Sequence, residues 1–299
     1  MAEMRSALGH RTHTFGCLVR GKKFKIKFAD AYGLIESEDV DFAQPEGLKR
    51  MSNVVAALAC EKREVLGFDP RFIPPAHSTV DSGCDLPAPL TDWRYRVDED
   101  TLVTIKNMIH VQWCQTGRGA SVYLVDYEGE TRVLKTSYPH SSQSREATLL
   151  RTARQRLEAR TPGAGAGVTQ VYSSAQGDLV SNGFRKLLSP QYVAGHNRRL
   201  EILLVEKLEP LHSVRRLNVS ALDLALVALS EDGIFHRDIS TGNLMLRRLP
   251  GPEGKIQGVL SDFDLAIDMH DPEHIRLHLG CNVPPRRKEY PRVSACANE

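Results

Sequence analysis

Apolar and polar residues alternate along the chain in patterns that predict several strands. Residues 23–28, Lys-Phe-Lys-Ile-Lys-Phe, alternate strictly, which puts three lysines on one face of a strand and three apolar side chains on the other. We expect this lysine face to be solvated and not to bind phosphate. Residues 122–125 and 131–134 are short apolar runs separated by Glu-Gly-Glu, which predicts a β-hairpin. Residues 200–205 predict a further strand, and residues 220–229 predict a short buried helix.

Residues 143–160 have helical character, and one carboxylate shares a stripe with apolar side chains there. The stripe consists of Glu146, Leu150, Ala153 and Leu157, at spacings of four, three and four residues. A charged group on a core-facing stripe needs a partner. The alternative is that Glu146 is an exposed acid of the first turn, where the helix dipole favours it.

Composition and charge narrow the class of protein. A chain of 299 residues with 41% hydrophobic and 25% charged residues is typical of a globular protein with one large core or two modest ones. A net charge of +2 gives no reason to expect nucleic acid or a membrane surface as a partner. There is no apolar run fit for a signal peptide or a spanning helix, so we expect an intracellular location, in the cytoplasm or nucleus. The six cysteines are scattered without a C-x-x-C pair, which argues against a disulfide scaffold or a thiolate zinc cluster.

The strongest chemical signal is the segment from His236 to Asn243, His-Arg-Asp-Ile-Ser-Thr-Gly-Asn, with apolar residues before and after it. It matches the protein-kinase catalytic loop, H-R-D-x-x-x-x-N. Such a loop needs a carboxylate that orients the attacking hydroxyl and accepts its proton, and an amide oxygen that holds magnesium on the phosphates. Asp238 and Asn243 would take these two catalytic roles.

A second motif, Asp-Phe-Asp at residues 262–264, follows an apolar run in the manner of the kinase D-F-G. Asp262 would be the main magnesium ligand, with Asn243 as the second metal ligand. Residues 243–248 and 257–262 predict two strands joined by a turn-rich connector. If the two strands are antiparallel, Asn243 and Asp262 lie together at one end of the pair, as two ligands of one metal should.

Residues that would bind a nucleotide precede these motifs. Gly117 and Gly119 occupy two positions of a glycine-rich phosphate loop, whereas Val122 stands at the third. Lys135 ends an apolar run at the place of the kinase strand lysine, where it would bind the α- and β-phosphates and act with the catalytic residues. An ordinary turn and an ordinary strand end are the alternatives. The pairing of Lys135 with Glu146 would decide between them.

Together these motifs resemble the fungal-type protein kinase family, as do residues 63–70, and the resemblance extends over about residues 60–268. It implies an α+β, two-lobed protein-kinase-like fold with a β-rich N-lobe and an incomplete helical C-lobe, truncated after the D-F-D motif. Lys135 and Glu146 would belong to the N-lobe, and Glu206 would mark a hinge beside the nucleotide. ATP and Mg²⁺ are the cofactors that it implies.

The expected organisation has four parts: residues 1–105 of unknown role, an N-lobe at 106–206, a partial C-lobe with the catalytic loop at 207–268, and a poorly ordered tail at 269–299. Only 35 residues follow Asp264, and no A-P-E segment is legible among them. We therefore expect this chain to be a poor catalyst or none. The tail carries His270, His274, His278 and Cys281, which we expect to be exposed and not to form a metal site.

The function expected from these residues is transfer of the ATP γ-phosphate to a serine or threonine hydroxyl of a protein substrate. One alternative is a truncated kinase or pseudokinase that binds nucleotide or a partner. Another is a small-molecule kinase, which Arg237 of the H-R-D motif disfavours. Two departures weaken the match: Ser240 replaces a lysine that helps to neutralise the phosphate, and Asp264 replaces a glycine that tolerates positive φ. The substrate, the regulation and the oligomeric state stay open.

Overall fold

The computed structural model describes residues 11–60, 62–76, 90–112, 118–141, 143, 145–183, 185, 197–213, 229–249 and 256–272. Contacts between residues divide the chain into two units. The first unit contains residues 1–147 and 169–209, and the second contains residues 148–168 and 210–299.

Two antiparallel sheets and a helix make up most of the first unit. The smaller sheet contains β1 (His13–Arg20), β2 (Lys23–Asp30), β3 (Gly33–Glu36) and β4 (Val40–Asp41), with β2 paired to the other three, and helix α1 (Pro45–Cys60) follows it. The larger sheet has seven strands: β5 (Phe72–Ile73), β6 (Arg94–Arg96), β7 (Leu102–Val111), β8 (Ser121–Tyr127), β9 (Glu130–Ser137), β10 (Val171–Leu179) and β11 (Arg199–Glu206). Their spatial order is β10-β11-β9-β8-β7-β6-β5, so the last strand in sequence lies between two earlier ones.

Residues on both sides of position 105 build this larger sheet. The boundary expected at residue 105 falls inside β7. From the preceding part of the chain, β6 pairs with β7 and β5 pairs with β6. Tyr95, Ile105, Tyr123 and Leu134 have no exposed surface and form one core together with Phe72. Residues before 106 therefore contribute aromatic side chains to the same core as the strand that carries Lys135.

The hairpin of β8 and β9 confirms the sequence prediction. Glu128 and Gly129 connect the strands with φ of 55° and 79°. A two-residue turn with both residues left-handed matches the right-handed twist of the strands, and glycine adopts this conformation without steric cost. The hairpin thereby fixes the register that places Lys135 opposite Val122 on β8.

The alternating strand predicted at residues 23–28 is also confirmed, as the first part of β2. Lys25 and Lys27 both form ion pairs with Glu36 on β3. The hydrogen bond from Lys27 lowers the pKa of Glu36, and it outweighs the effect of burial. This lysine face is thus balanced by acid, as expected for a solvated strand face.

A buried ion pair connects β2 to the segment after β10. Arg185 donates from Nε to Asp30 Oδ2 at 2.6 Å and from Nη2 to Oδ1 at 2.7 Å, and both residues are buried. The main-chain N–H groups of Tyr32 and Gly33 donate to the same carboxylate. Because both carboxylate oxygens accept hydrogen bonds, the charge is compensated despite its burial.

Helix α2 (Glu146–Arg160) contributes its first two residues to the first unit and the rest to the second. It begins three residues later than the predicted position 143 because Gln143 closes a turn with His140 instead. The predicted stripe is confirmed, since Glu146, Leu150, Ala153 and Leu157 are all buried; the exposed first-turn alternative for Glu146 is therefore wrong.

The other described elements of the second unit are short strands and the 3-10 helices Ala164–Gly167, Leu211–Ser213 and Phe263–Leu265. The strands are β13 (Ile234–Phe235), β14 (Leu244–Arg248), β15 (Ile256–Leu260) and β16 (Ile267–Asp268), and β12 (Glu209–Pro210) lies where the chain leaves the first unit. β14 pairs with β15, and β13 pairs with β16, both antiparallel. Of the predicted helix at 220–229, only Leu229 lies within the described residues, and the tail beyond residue 272 lies outside them.

Candidate functional site

Lys135 and Glu146 form a direct ion pair in the first unit. Lys135 lies on β9, a strand paired on both sides, with Val122 and Leu203 as its register partners. Its Nζ donates to Glu146 Oε2 at 2.8 Å, and the exposed fractions of the two side chains are 16% and 4%. The pairing that sequence analysis required to distinguish Lys135 from an ordinary strand end is therefore present. An ammonium group held in this way is fixed in position.

The loop before β8 is closed at its base. Gly119 adopts a left-handed φ of 56°, and Gly117 lies outside the described residues. The main-chain N–H of Gln112 donates to the Ala120 carbonyl at 2.8 Å, and its side-chain oxygen accepts the Ala120 N–H at 3.2 Å. Sequence reasoning missed Gln112, although its place at the end of an apolar strand before the glycines was a signal for such a closing residue. Val122, at the third glycine position, lies in β8, where no left-handed residue is needed.

Glu206 ends β11, and its carboxylate is used inside the protein. The residue is 7% exposed, and Oε1 accepts the main-chain N–H of Gln170 at 2.7 Å. The main-chain N–H of Glu206 in turn donates to the Gln170 carbonyl at 3.1 Å. A nucleotide contact in this segment would therefore come from the backbone after Glu206 and not from this carboxylate oxygen.

Asp238 and Asn243 contact each other in the second unit. The amide nitrogen Nδ2 of Asn243 donates to Asp238 Oδ2 at 3.0 Å and to the Asp238 carbonyl at 2.9 Å. These two bonds assign the nitrogen side of the amide, because an oxygen would be repelled by two acceptors. Oδ1 of Asn243 consequently points to the other side of the amide. Asp238 itself is exposed.

His236 joins the catalytic loop to the segment that carries Asp262. Nε2 lies 2.9 Å from the Ser261 carbonyl, and Nδ1 lies 3.4 Å from the main-chain N–H of Asp238. A carbonyl can only accept, so Nε2 donates to Ser261, and Nδ1 accepts the Asp238 N–H. The ring also packs edge-on against Phe263 at a centroid distance of 4.8 Å. Sequence analysis assigned no role to His236, although it is the first residue of the H-R-D motif.

The two predicted metal ligands lie at one end of a strand pair. Leu244 of β14 is opposite Leu260 of β15, and both the N–H and Oγ of Ser261 donate to the Asn243 carbonyl, at 2.9 and 3.1 Å. The antiparallel arrangement expected from the sequence is confirmed. Asn243 lies just before β14, and Asp262 lies shortly after β15. The register therefore places both residues at the same end of the strand pair.

Both motifs contain a non-glycine residue in the left-handed region. Arg237 has a φ of 66°, and Asp262 has a φ of 60° with ψ of 70°. Such conformations cost free energy and are concentrated at functional sites. Asp264, which replaces the glycine of the kinase D-F-G, lies in the 3-10 helix Phe263–Leu265 and does not have a positive φ. The left-handed residue of the Asp-Phe-Asp motif is therefore Asp262, the candidate magnesium ligand.

The predicted histidine series contributes one described residue. The main-chain N–H of His270 donates to Asp268 Oδ1 at 2.9 Å, whereas His274, His278 and Cys281 lie outside the described residues. Within the described part of the chain, no helix has the length and apolar character needed to cross a membrane.

Comparison with known proteins identifies the family. The family model described as "Fungal protein kinase" matches residues 3–176 and 221–281, well over half of the chain. The search of curated proteins gave no match. Among solved structures, the chain is similar to the one titled "Crystal structure of BubR1 kinase domain", with 16% identity, a TM-score of 0.39, and coverage of 62% of this chain and 54% of that one. It thus spans about half the length of that chain. The family match confirms the α+β, protein-kinase-like fold inferred from the motifs, and this chain belongs to the fungal protein kinase family.

Proposed function

We propose that this chain binds ATP with Mg²⁺ and transfers the γ-phosphoryl group to a serine or threonine hydroxyl of a protein substrate. The observation that carries the proposal is the pair of hydrogen bonds from the Asn243 amide to Asp238. Their loop continues into β14, whose partner β15 leads to Asp262. This arrangement provides a proton acceptor and two oxygen ligands in one small region, as phosphoryl transfer requires. Membership of the fungal protein kinase family supports the same reaction class.

The nucleotide side of the proposal rests on Lys135. Glu146 holds the lysine Nζ at 2.8 Å, so that the ammonium group would contact the α- and β-phosphates without first having to be ordered. Gly117 and Gly119 would let the backbone approach the phosphates. The backbone after Glu206 would form the hinge beside the nucleotide.

The donor atoms of the second unit fit magnesium. Asn243 Oδ1 and the Asp262 carboxylate are hard oxygen ligands, which Mg²⁺ prefers. The bonds from Asn243 Nδ2 to Asp238 orient the amide and leave Oδ1 for the ion. The bound ion would neutralise charge on the phosphates.

Asp238 would orient the acceptor hydroxyl and accept its proton. Asn243 uses Oδ2 of this carboxylate, so we assign Oδ1 to the incoming hydroxyl. His236 contributes indirectly, because its Nδ1 accepts the Asp238 main-chain N–H and Nε2 anchors the ring to Ser261.

Thermal denaturation tests nucleotide binding. At an ATP concentration about 100 times Kd, in the presence of Mg²⁺, binding should stabilise the wild type by about 2.7 kcal/mol and raise Tm. Lys135→Met and Asp262→Ala should each abolish that rise. Lys106→Met is the matched control, because Lys106 is an exposed lysine of the same sheet that pairs with Asp126. An undiminished Tm rise in both Lys135→Met and Asp262→Ala would refute the assignment.

Phosphate transfer to a protein substrate tests the catalytic role. Asp238→Asn should lower kcat about 10²- to 10⁴-fold while the affinity for ATP changes little. Glu231→Gln makes the same acid-to-amide change at an exposed position, where the acid pairs with Arg160, and should leave kcat unchanged. Equal turnover by Asp238→Asn and the wild type would rule out the role.

Nucleotide binding without turnover is the second candidate function, and Ser240 favours it. The residue is exposed and its carbonyl accepts the Asn243 N–H at 3.0 Å, but its side chain carries no positive charge for the transferred phosphate. This function predicts a Tm rise with ATP and Mg²⁺ but no phosphate transfer. Ser240→Lys should then introduce or increase transfer.

A further inference from the structure

One guanidinium group joins three segments of the second unit. Arg156 lies on α2, and its Nη1 and Nη2 donate to Oδ1 and Oδ2 of Asp268 at 3.0 and 2.8 Å. Nη1 also donates to the main-chain carbonyl of Asp232 at 3.2 Å. Asp268 is buried at 7% exposure, whereas the Arg156 side chain is partly exposed. The arginine therefore makes a bidentate interaction with a buried carboxylate and a third hydrogen bond to the backbone.

These partners lie beside the two motifs. Asp232 comes shortly before β13, which leads directly into His236, and Asp268 is the last residue of β16, which follows the Asp262 segment. β13 and β16 pair over only two positions, and the Met269 N–H donates to the Gly233 carbonyl at 2.9 Å. So short a strand pair is weak by itself. Arg156 stabilises this strand pair, because it binds the Asp232 carbonyl just before β13 and the Asp268 side chain at the end of β16.

The opposite ends of both motifs are held separately. β14 and β15 pair from Leu244 and Leu260 onward, and His236 Nε2 donates to the Ser261 carbonyl. The β13–β16 pair is the other attachment of the same two motifs, one strand preceding His236 and the other following Asp262. Loosening it would let the two motifs move relative to each other while the β14–β15 pair stayed intact.

The geometry requires arginine. A guanidinium offers several N–H groups in a rigid plane, so that it can bind both carboxylate oxygens and a carbonyl at once, whereas the ammonium group of lysine is a point charge on a flexible stem. Burial would raise the pKa of Asp268, but the hydrogen bonds from Arg156 and from the His270 N–H outweigh burial and lower it. The carboxylate thus remains ionised, and it depends on Arg156 for compensation.

We propose that Arg156 and Asp268 are a positioning pair that holds the His236–Asn243 loop and the Asp262 segment at a fixed spacing. Neither residue is assigned a contact with ATP or with the acceptor hydroxyl. The catalytic consequence rests on the proposed function, but the positional effect can be measured without any activity.

Hydrogen–deuterium exchange of the full chain, read by mass spectrometry, tests the positional effect. Arg156→Lys should raise exchange about tenfold or more in peptides covering residues 232–238 and 261–269, and should leave peptides covering 244–248 and 256–260 unchanged. Arg160→Lys is the matched control, because Arg160 lies one turn further along α2 and binds Glu231 and Asp232 at the surface. Exchange that is unchanged in Arg156→Lys, or raised throughout the second unit, would overturn the proposal.

Kinetics test the catalytic consequence. Arg156→Lys should lower kcat about tenfold with KM for ATP nearly unchanged and with Tm close to that of the wild type. Arg156→Asp combined with Asp268→Arg should recover part of the loss shown by either single variant. A fall in kcat that only follows the folded fraction would mean a structural role and would refute the positioning role. If the wild type transfers no phosphate, the proposed function fails, whereas the exchange result still decides whether the pair positions the motifs.

Discussion

The ion pair between Lys135 and Glu146 should contribute measurably to the stability of the first unit, and its contribution can be worked from the structure. Two unit charges 2.8 Å apart attract by about 6 kcal/mol at an effective dielectric constant of about 20. Desolvation of a carboxylate that is 4% exposed and an ammonium group that is 16% exposed removes much of this gain. We expect a net coupling free energy of about 2–3 kcal/mol, typical of charged hydrogen bonds.

A double-mutant cycle with Lys135→Met, Glu146→Gln and the double variant isolates this coupling from the other contacts of each residue. Urea unfolding followed by the fluorescence of Trp93 provides the free energies, because Trp93 is buried in the core of the first unit at 7% exposure. Trp113→Phe in every variant leaves Trp93 as the single tryptophan of this chain.

The pair of Lys106 and Asp126 is the matched control. Its Nζ–Oδ2 distance is 2.7 Å and it belongs to the same sheet, but it lies at the surface, so its coupling should be too small to measure. A coupling below about 0.5 kcal/mol for Lys135 and Glu146, or one equal to the control, would refute the conclusion that burial makes this pair strong.

Three further predictions concern backbone strain and pH. Gly67→Ala should lower the urea midpoint more than Gly129→Ala. Both glycines have positive φ (95° and 79°), but a Cβ at Gly67 would lie 2.0 Å from the His13 carbonyl oxygen, whereas a Cβ at Gly129 would meet open space. Equal falls in the urea midpoint would contradict this reasoning. Burial raises the pKa of Asp69 above its ordinary 3.8 despite Arg71, so the wild type should lose stability relative to Asp69→Asn as pH rises from 4 to 7. A difference in unfolding free energy that does not change with pH would be inconsistent with the raised pKa. The pKa of Asp268 is lowered, so its ionised form should stabilise the protein at every pH above 3.8. This stabilisation, measured as the difference in unfolding free energy from Asp268→Asn, should disappear only as pH falls through the lower pKa of the folded state. Loss of the difference already at pH 5 would contradict the lowered pKa.

The elements that could be predicted are those whose determinants lie close together in sequence. The β8–β9 hairpin depends on Glu128 and Gly129 between two apolar runs, and the buried face of α2 depends on a periodicity within fifteen residues. The approach of Asn243 to Asp262 could be predicted as well, because it requires only that two neighbouring strands be antiparallel.

The remaining contacts depend on residues that are distant in sequence or on conformations with no sequence pattern. Arg156 and Asp268 are 112 positions apart, and Arg185 and Asp30 are 155 positions apart, so no local periodicity relates them. β5 and β6 have two and three residues, too few to show alternation. The positive φ of Asp262 could not be predicted, because no residue pattern marks a non-glycine position for the left-handed region.

The position of β11 between β10 and β9 determines the order in which the large sheet can form. β5 to β9 form a meander, so each new strand can pair with the one synthesised just before it. β10 cannot join directly, because β11 separates it from β9 and is the last strand of the sheet to be synthesised. During translation, β9 therefore keeps an unpaired edge until residue 206 has emerged from the ribosome, and such edges attract other chains. Expression fragments that end before β11 should aggregate, whereas fragments that include β11 can cover the edge of β9.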